Sequence, residues 1–147
     1  MAHTYTLTYH HIVFSTKLRR NLIRSEWESE LHAIFRGIAR NKGFSIDCSG
    51  GTENHVHLLI RLPANVELSK AMQLLKGSSS HWAGERQNDF AWQQGYAAFS
   101  VSFSVLDQLR RYIRNQKQHH LKVSFEDEFR AFLRKHGIEY DEQHVFG

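Results

Sequence analysis

His55 and His57 stand one residue apart in the segment Glu53-Asn54-His55-Val56-His57-Leu58-Leu59-Ile60, and an unbroken apolar run follows them. Neutral imidazole is the commonest side-chain metal ligand, and a strand held by a core fixes a ring better than a loop does. Side chains alternate along a strand, so both histidines share a face with Leu59 while Val56, Leu58 and Ile60 take the other. Much later, Tyr112 and Gln116 stand at i and i+4 and project from one side of a helix, among Arg110, Arg111, Arg114 and Lys117. Each group also has a plain structural reading. Half-buried histidines satisfy one another by hydrogen bonds, a tyrosine packs with its hydroxyl at the edge, and an amide or arginine on a helix is ordinarily solvated.

The elements that must position these groups follow from periodicity. Residues 4–14 alternate as a long first strand, with Tyr5, Leu7, Tyr9, His11 and Val13 on one face. Residues 25–42 repeat Trp27, Leu31, Ile34, Phe35 and Ile38 at helical spacing, with Ser25 and Glu28 in capping-box register and Gly43 as a stop. A second strand over 44–49 and a Gly50-Gly51 turn lead into a third strand over 54–62, ended by Pro63, the only proline. A second helix spans 66–88 with Leu68, Met72, Leu75, Ser79 and Trp82 in its stripe, and a fourth strand spans 95–102. Ser104 and Asp107 predict the capped start of a third helix to 118, and a fourth runs from Ser124 to Gly137 with Phe125, Phe129, Phe132 and Leu133 inward.

Strand, helix, strand, strand, helix, strand and then helices is the order of an α+β, ferredoxin-like split βαβ fold, an antiparallel sheet with two helices on one face. The Val56, Leu58 and Ile60 face lies under those two helices. The histidine face is left for the third helix, a partner subunit or a substrate.

The 147 residues, 41% of them hydrophobic, predict one domain over 1–147 with a real core. Nineteen Lys and Arg against fifteen Asp and Glu give a net charge of +4, a modest excess that suits a polyanionic partner. The lone Cys48 excludes an internal disulfide framework and reads as a packed thiol in a reducing compartment. No apolar run is long enough to cross a membrane, so the expected location is cytoplasmic.

The Asn-His-Val-His-Leu-Leu-Ile strand, the Tyr112-Ile113-Arg114-Asn115-Gln116 helix and the intervening Trp92-Gln93-Gln94-Gly95-Tyr96 resemble the HUH-family single-tyrosine transposases, carried by the smallest bacterial insertion sequences, which move as single-stranded DNA. The likeness runs from His11-Ile12-Val13-Phe14-Ser15-Thr16-Lys17 to the tail at Lys135 through Glu142, nearly the whole chain. It implies metal ligands at His55, His57 and Gln116 and a nucleophile at Tyr112, carried on additional C-terminal helices. It also implies binding of DNA hairpins near the element's ends, and a homodimer in which the tyrosine helix of one subunit serves the histidines of the other.

The implied chemistry is coherent. A phenol of pKa about 10 is a poor nucleophile at neutral pH unless the phosphate is made more electrophilic or a base assists. A divalent ion, Mg²⁺ or Mn²⁺, does the former. Two imidazoles and an amide oxygen leave open positions and bring no anionic ligand to repel DNA. Attack by the phenol yields a 5′-phosphotyrosine and a free 3′-OH, so strands are cut and rejoined without ATP. Lys17, Arg19, Arg20, Lys76, Arg86, Arg110, Arg111 and Arg114 are the expected phosphate contacts. His81, Trp82 and Trp92 are possible base-stacking groups, Trp82 fitting a core stripe better. His119 and His120, just past Gln116, read either as phosphate donors or as an exposed helix-end pair.

Two alternatives share these features. One is a domesticated nuclease that cuts repeat-associated hairpins. The other is a non-catalytic single-stranded nucleic-acid-binding module on the same fold, in which Tyr112→Phe changes nothing. A replication initiator or relaxase is disfavoured by the absence of a helicase module and by the single tyrosine of the helix.

Overall fold

Alternating apolar residues drive β1 (Thr8–Ser15), β2 (Ser45–Gly51), β3 (His55–Leu62) and β4 (Ala97–Val101) into one antiparallel sheet of order β2-β3-β1-β4. This is the split βαβ arrangement, described by a computed structural model over residues 3–147. β1 and β3 lie centrally and pair along their length, from Thr8 opposite Leu62 to Ser15 opposite His55. The histidine pair is therefore carried on one of the two strands with neighbours on both sides.

Ile12, Phe14, Val56, Leu58 and Ile60 form one face of these strands and pack under α1 (Glu28–Asn41) and α2 (Leu68–Gly84). Phe14, Phe35, Leu58 and Leu75 are fully buried there, each burial contributing roughly 1.5–3 kcal/mol. Trp92 closes this core, its ring edge-on to Phe14 at 4.8 Å and its indole nitrogen donating to Ser79 Oγ at 2.9 Å. The opposite face is not left open. Val13, Ala97 and Phe99 pack under α5 (Phe125–Lys135), and Cys48 and Leu59 under Leu106 and Ile113 of α3 (Leu106–Arg114). Burial pushes the Cys48 thiol up to about 11, consistent with a packed, inert group.

Several element boundaries differ from the sequence expectation. β1 begins at Thr8, because its neighbours end opposite Leu62 and Val101, leaving Tyr5 and Leu7 nothing to pair with and exposed. Gly50 and Gly51 are the end of β2, not a turn; a Cβ on Gly50 would collide with the Ile113 carbonyl, so the glycine permits α3 to lie against the strand. α1 starts at Glu28 with no side-chain cap, and Trp27 instead anchors the helix start in the core. The third helix is capped by Ser102 in place of Ser104, starts as a 3-10 turn, and breaks at Asn115 before α4 (Gln116–His119). Ser124 caps α5 as expected, accepting from the Asp127 amide at 3.1 Å.

Candidate active site

The site is built where β3 meets the three C-terminal helices. Strand alternation turns His55 and His57 to the α3–α5 side, and both are fully buried. The break at Asn115 redirects the chain so that Gln116 is buried too, its Oε1 3.1 Å from His55 Nε2 and 2.9 Å from His120 Nε2. Tyr112, on the last turn of α3, is half-buried, with its ring centroid 5.8 Å from that of His57. The four residues expected from sequence thus converge within one chain.

Further residues complete the cluster. Glu128 of α5 is 3% exposed and sits at the centre of it. Its Oε1 lies 2.9 Å from His57 Nε2, 3.2 Å from His120 Nε2 and 3.7 Å from His55 Nε2. Its Oε2 accepts a short hydrogen bond from the Tyr112 hydroxyl and lies 3.2 Å from His119 Nε2. His11 of β1 lies behind the site, Nε2 to His57 Nδ1 at 2.8 Å with the rings stacked 5.0 Å apart. His55 Nδ1 is held by Asn54 Oδ1 at 2.9 Å and Thr52 Oγ1 at 3.0 Å.

Burial and these contacts set the charges. His55 is lowered to about 3, first by burial and then by its proximity to His57, and His11 is lowered well below its ordinary value for the same two reasons. Burial favours a neutral Glu128, but hydrogen bonds from His120 and His57 outweigh it and hold the carboxyl well below the usual range. Burial lowers His120, yet its bond to Glu128 raises it above the ordinary imidazole value on balance. Burial and then the Glu128 carboxylate push the Tyr112 hydroxyl well above the ordinary phenol range. At neutral pH the site therefore holds an anionic carboxylate against a protonated phenol, with His55 and His11 neutral.

The donor set fits a divalent ion. One ligand atom from each of His55, His57, His120 and Glu128 lies within 4.8 Å of the others. With His55 Nδ1–H donating to Asn54 Oδ1, its Nε2 lone pair faces Gln116 Oε1, acceptor against acceptor, an arrangement that a cation between them resolves. Without a thiolate, the imidazoles suit divalent first-row transition ions, and the carboxylate and amide oxygens suit Mn²⁺ and Mg²⁺. The sequence reading counted no anionic group among the donors; the Glu128 carboxylate lies among them.

Glu128 left a readable trace in the sequence. It falls on the stripe Phe125, Phe129, Phe132 and Leu133 that faces inward, and an acid on an apolar stripe is costly unless paired. His120, weighed as exposed, is instead only 10% exposed in its side chain and turned into the cluster.

The expected DNA-contacting cations divide by their partners. Arg110 forms a two-pronged pair with Asp47, both contacts at 2.8 Å, and a third to Asp107. Arg20 pairs with Asp89, Arg19 lies over the Phe146 ring, Arg86 lies over Trp82, and Lys76 donates to the Gln93 and Gly95 carbonyls. Among the described residues, the exposed side chains of Lys17, Arg111 and Arg114 make no ion pair. Trp92 is buried in the core, Trp82 packs edge-on against Trp27 at 5.7 Å, and exposed His81 pairs with Glu85.

A split βαβ sheet with paired imidazoles under a single tyrosine on a late helix has the layout of the single-tyrosine class of strand transferases. The chain belongs to the IS200-like transposase family, whose family model, described as "Transposase IS200 like", matches residues 4–116. It is 28% identical over 124 residues to the transposase for insertion sequence element IS200 of Salmonella typhimurium, covering 79% of this chain and 81% of that one. It is 25% identical over 127 residues to the ISDra2 transposase TnpA of Deinococcus radiodurans, covering 78% and 86%. Among solved structures it resembles a protein of Deinococcus radiodurans described as a candidate transposase, with TM-score 0.65, 22% identity and coverage of 79% and 95%. It also resembles a REP-associated tyrosine transposase bound to a REP hairpin, with TM-score 0.56, 16% identity and coverage of 77% and 67%. The family match ends at Gln116, so His119, His120 and Glu128 come from the residues beyond it. Among the described residues, no helix is long and apolar enough to cross a membrane.

Proposed function

We propose that this transposase cleaves and rejoins single-stranded DNA by transesterification through Tyr112. The observation that carries the reading is Glu128: one carboxylate oxygen holds the Tyr112 hydroxyl and the other lies at the paired imidazoles, so nucleophile and ligand cluster are joined by one side chain. His55, His57 and Gln116 would hold a divalent ion, Mg²⁺ or Mn²⁺, with Glu128 and His120 completing the donors. When bound, the ion neutralises a non-bridging oxygen of the scissile phosphate. The Tyr112 oxygen attacks phosphorus, the bond to the 3′-oxygen breaks, and the products are a 5′-phosphotyrosine and a 3′-OH. The phenolic proton passes to Glu128 Oε2, which already accepts its hydrogen bond, as the phosphate ester forms, and the departing 3′-oxygen takes a proton from water. Thr52 and Asn54 hold the His55 ring and His11 holds the His57 ring, so neither imidazole reorganises during the step.

The substrate is single-stranded DNA presented next to a hairpin, a reading supported by the family and by the hairpin complex of the structural relative. Lys17, Arg111 and Arg114 are the cations free to meet its phosphates. Homodimerisation remains part of the proposal, but tyrosine and histidines already meet within one chain, which favours cleavage in cis. Mixing Tyr112→Phe with His57→Ala protein tests this. The cis arrangement yields no adduct from the mixture; an adduct on the His57→Ala chain means the tyrosine helix serves its partner.

The direct test is a covalent adduct on a labelled single-stranded oligonucleotide pool with Mn²⁺ or Mg²⁺. The adduct disappears with EDTA, with Tyr112→Phe and with His57→Ala, while His57→Ala protein keeps hairpin binding. Wild-type protein that binds the hairpin and never forms the adduct would leave only the non-catalytic binding module.

A further inference from the structure

Tyr112 also lines a second recess, a cleft of about 290 Å³ between β4, α3 and the end of α5, at the low end of ligand-site volumes. Phe99 and Phe132 form its floor, near-parallel at 22° with centroids 5.5 Å apart. His136 stacks on Phe99 at 4.3 Å and 24°. The His136 ring is exposed, and its Nδ1 donates to the Phe132 carbonyl at 2.8 Å, which fixes the ring plane. Ser100, Gln108 and Lys135 supply polar groups at the edge. His11, whose Nε2 touches His57, forms part of the wall, so an occupant of the cleft reaches the back of the candidate site.

A neighbouring recess shares Tyr112, Phe132 and Lys135 but carries Asp127 and Glu128. The first cleft has no carboxylate in its lining. A polyanionic strand crossing Tyr112 thus meets two carboxylates on one side and, beside the shared lysine, an acid-free aromatic floor on the other.

We propose that the acid-free cleft is a nucleobase subsite, taking one unstacked base of the single strand beside the phosphodiester that Tyr112 attacks. This rests on the cleavage reading above. A base lies against the fixed His136 ring and Phe132, which buried Phe99 supports from behind, Gln108 and Ser100 face its hydrogen-bonding edge, and Lys135 meets the adjoining phosphate. The subsite sets which nucleotide lies next to the cut.

The test separates the subsite from catalysis. A trinucleotide with a central 2-aminopurine is titrated with full-length protein in EDTA, and stacking is read as fluorescence quenching. His136→Ala weakens the association by about tenfold, the scale of one lost stacking partner, and Gln108→Ala by about threefold, the scale of one lost hydrogen bond. Lys70→Ala, exposed on α2, leaves it unchanged. Quenching that survives both cleft substitutions, or that Lys70→Ala weakens equally, overturns the subsite whether or not adducts form. Quenching that depends on the cleft in a protein forming no adduct upholds the subsite and removes the cleavage reading alone.

Discussion

Glu128 is the residue on which nucleophile and ligands both depend, and its replacement has a signature distinct from mere unfolding. Glu128→Gln keeps the shape and removes the charge. The Tyr112 hydroxyl then titrates at lower pH, because the carboxylate that opposes its ionisation is gone while burial remains; absorbance of the phenolate reads the shift. His120 also moves down, as its charged form loses its partner, which histidine NMR resonances report. Mn²⁺ affinity by calorimetry falls by more than about tenfold, the loss that follows even from removing a group that only supports a ligand. Unchanged tyrosine and His120 titrations would place the carboxylate elsewhere in solution. At this scale the sequence was most readable where a motif is local. Spacing puts His55 and His57 on one strand face and Tyr112 and Gln116 one helical turn apart, while the roles of all four were read from the family resemblance. An acid on an apolar stripe marks Glu128 as needing a partner, but that its partner is His57, 71 residues away, and that His11 meets the same ring from 46 residues away, no local pattern encodes.

At the scale of elements, the position of Tyr112 is set by how closely α3 approaches β2. Gly50 allows that approach, because any Cβ there meets the Ile113 carbonyl one residue past the tyrosine. Gly50→Ala therefore lifts α3, costs about 1–3 kcal/mol as an overpacking change, and moves Tyr112 from Glu128. Denaturant unfolding measures the first, and the pH at which the tyrosine ionises measures the second. Adjacent glycines carry a turn signal in sequence, so Gly50-Gly51 reads as a turn while the structure uses the missing side chain for contact between layers. The same limit explains β1. Alternation continues through Tyr5 and Leu7, but a strand lasts only as long as its neighbours, and those lengths are not written in the segment itself. The Asn115 break is likewise invisible in a run of good helix formers.

For the molecule as a whole, the buried imidazoles predict a particular acid sensitivity. His32, bonded to Ser49 Oγ at 2.8 Å, is lowered to about 4 by burial and then by the charge of Lys117, and His55 to about 3. An ordinary imidazole in the unfolded chain takes its proton near pH 6.5, before these do, so stability present above that pH drains away as pH falls toward 4 and below. Glu128 adds a loss of the same sign below the ordinary carboxylate range, and His120 runs the other way. Urea midpoints in EDTA should drop steadily from pH 7 to pH 4.5, and His32→Gln should flatten the slope. A midpoint independent of pH over that interval would show these rings protonated in the native fold.

The overall plan was readable because the order of elements and their alternation agree, and the sheet order β2-β3-β1-β4 follows from them. Sequence left open whether the third helix, a partner subunit or a substrate meets the histidine face; the chain's own last third roofs it. That roof has a practical consequence. Cutting the polypeptide after Gln116 would retain every residue matched by the family yet strip Phe125, Phe129 and Leu133 from Val13, Ala97 and Phe99, leaving a greasy slab in water. Such a minimal version should clump on expression.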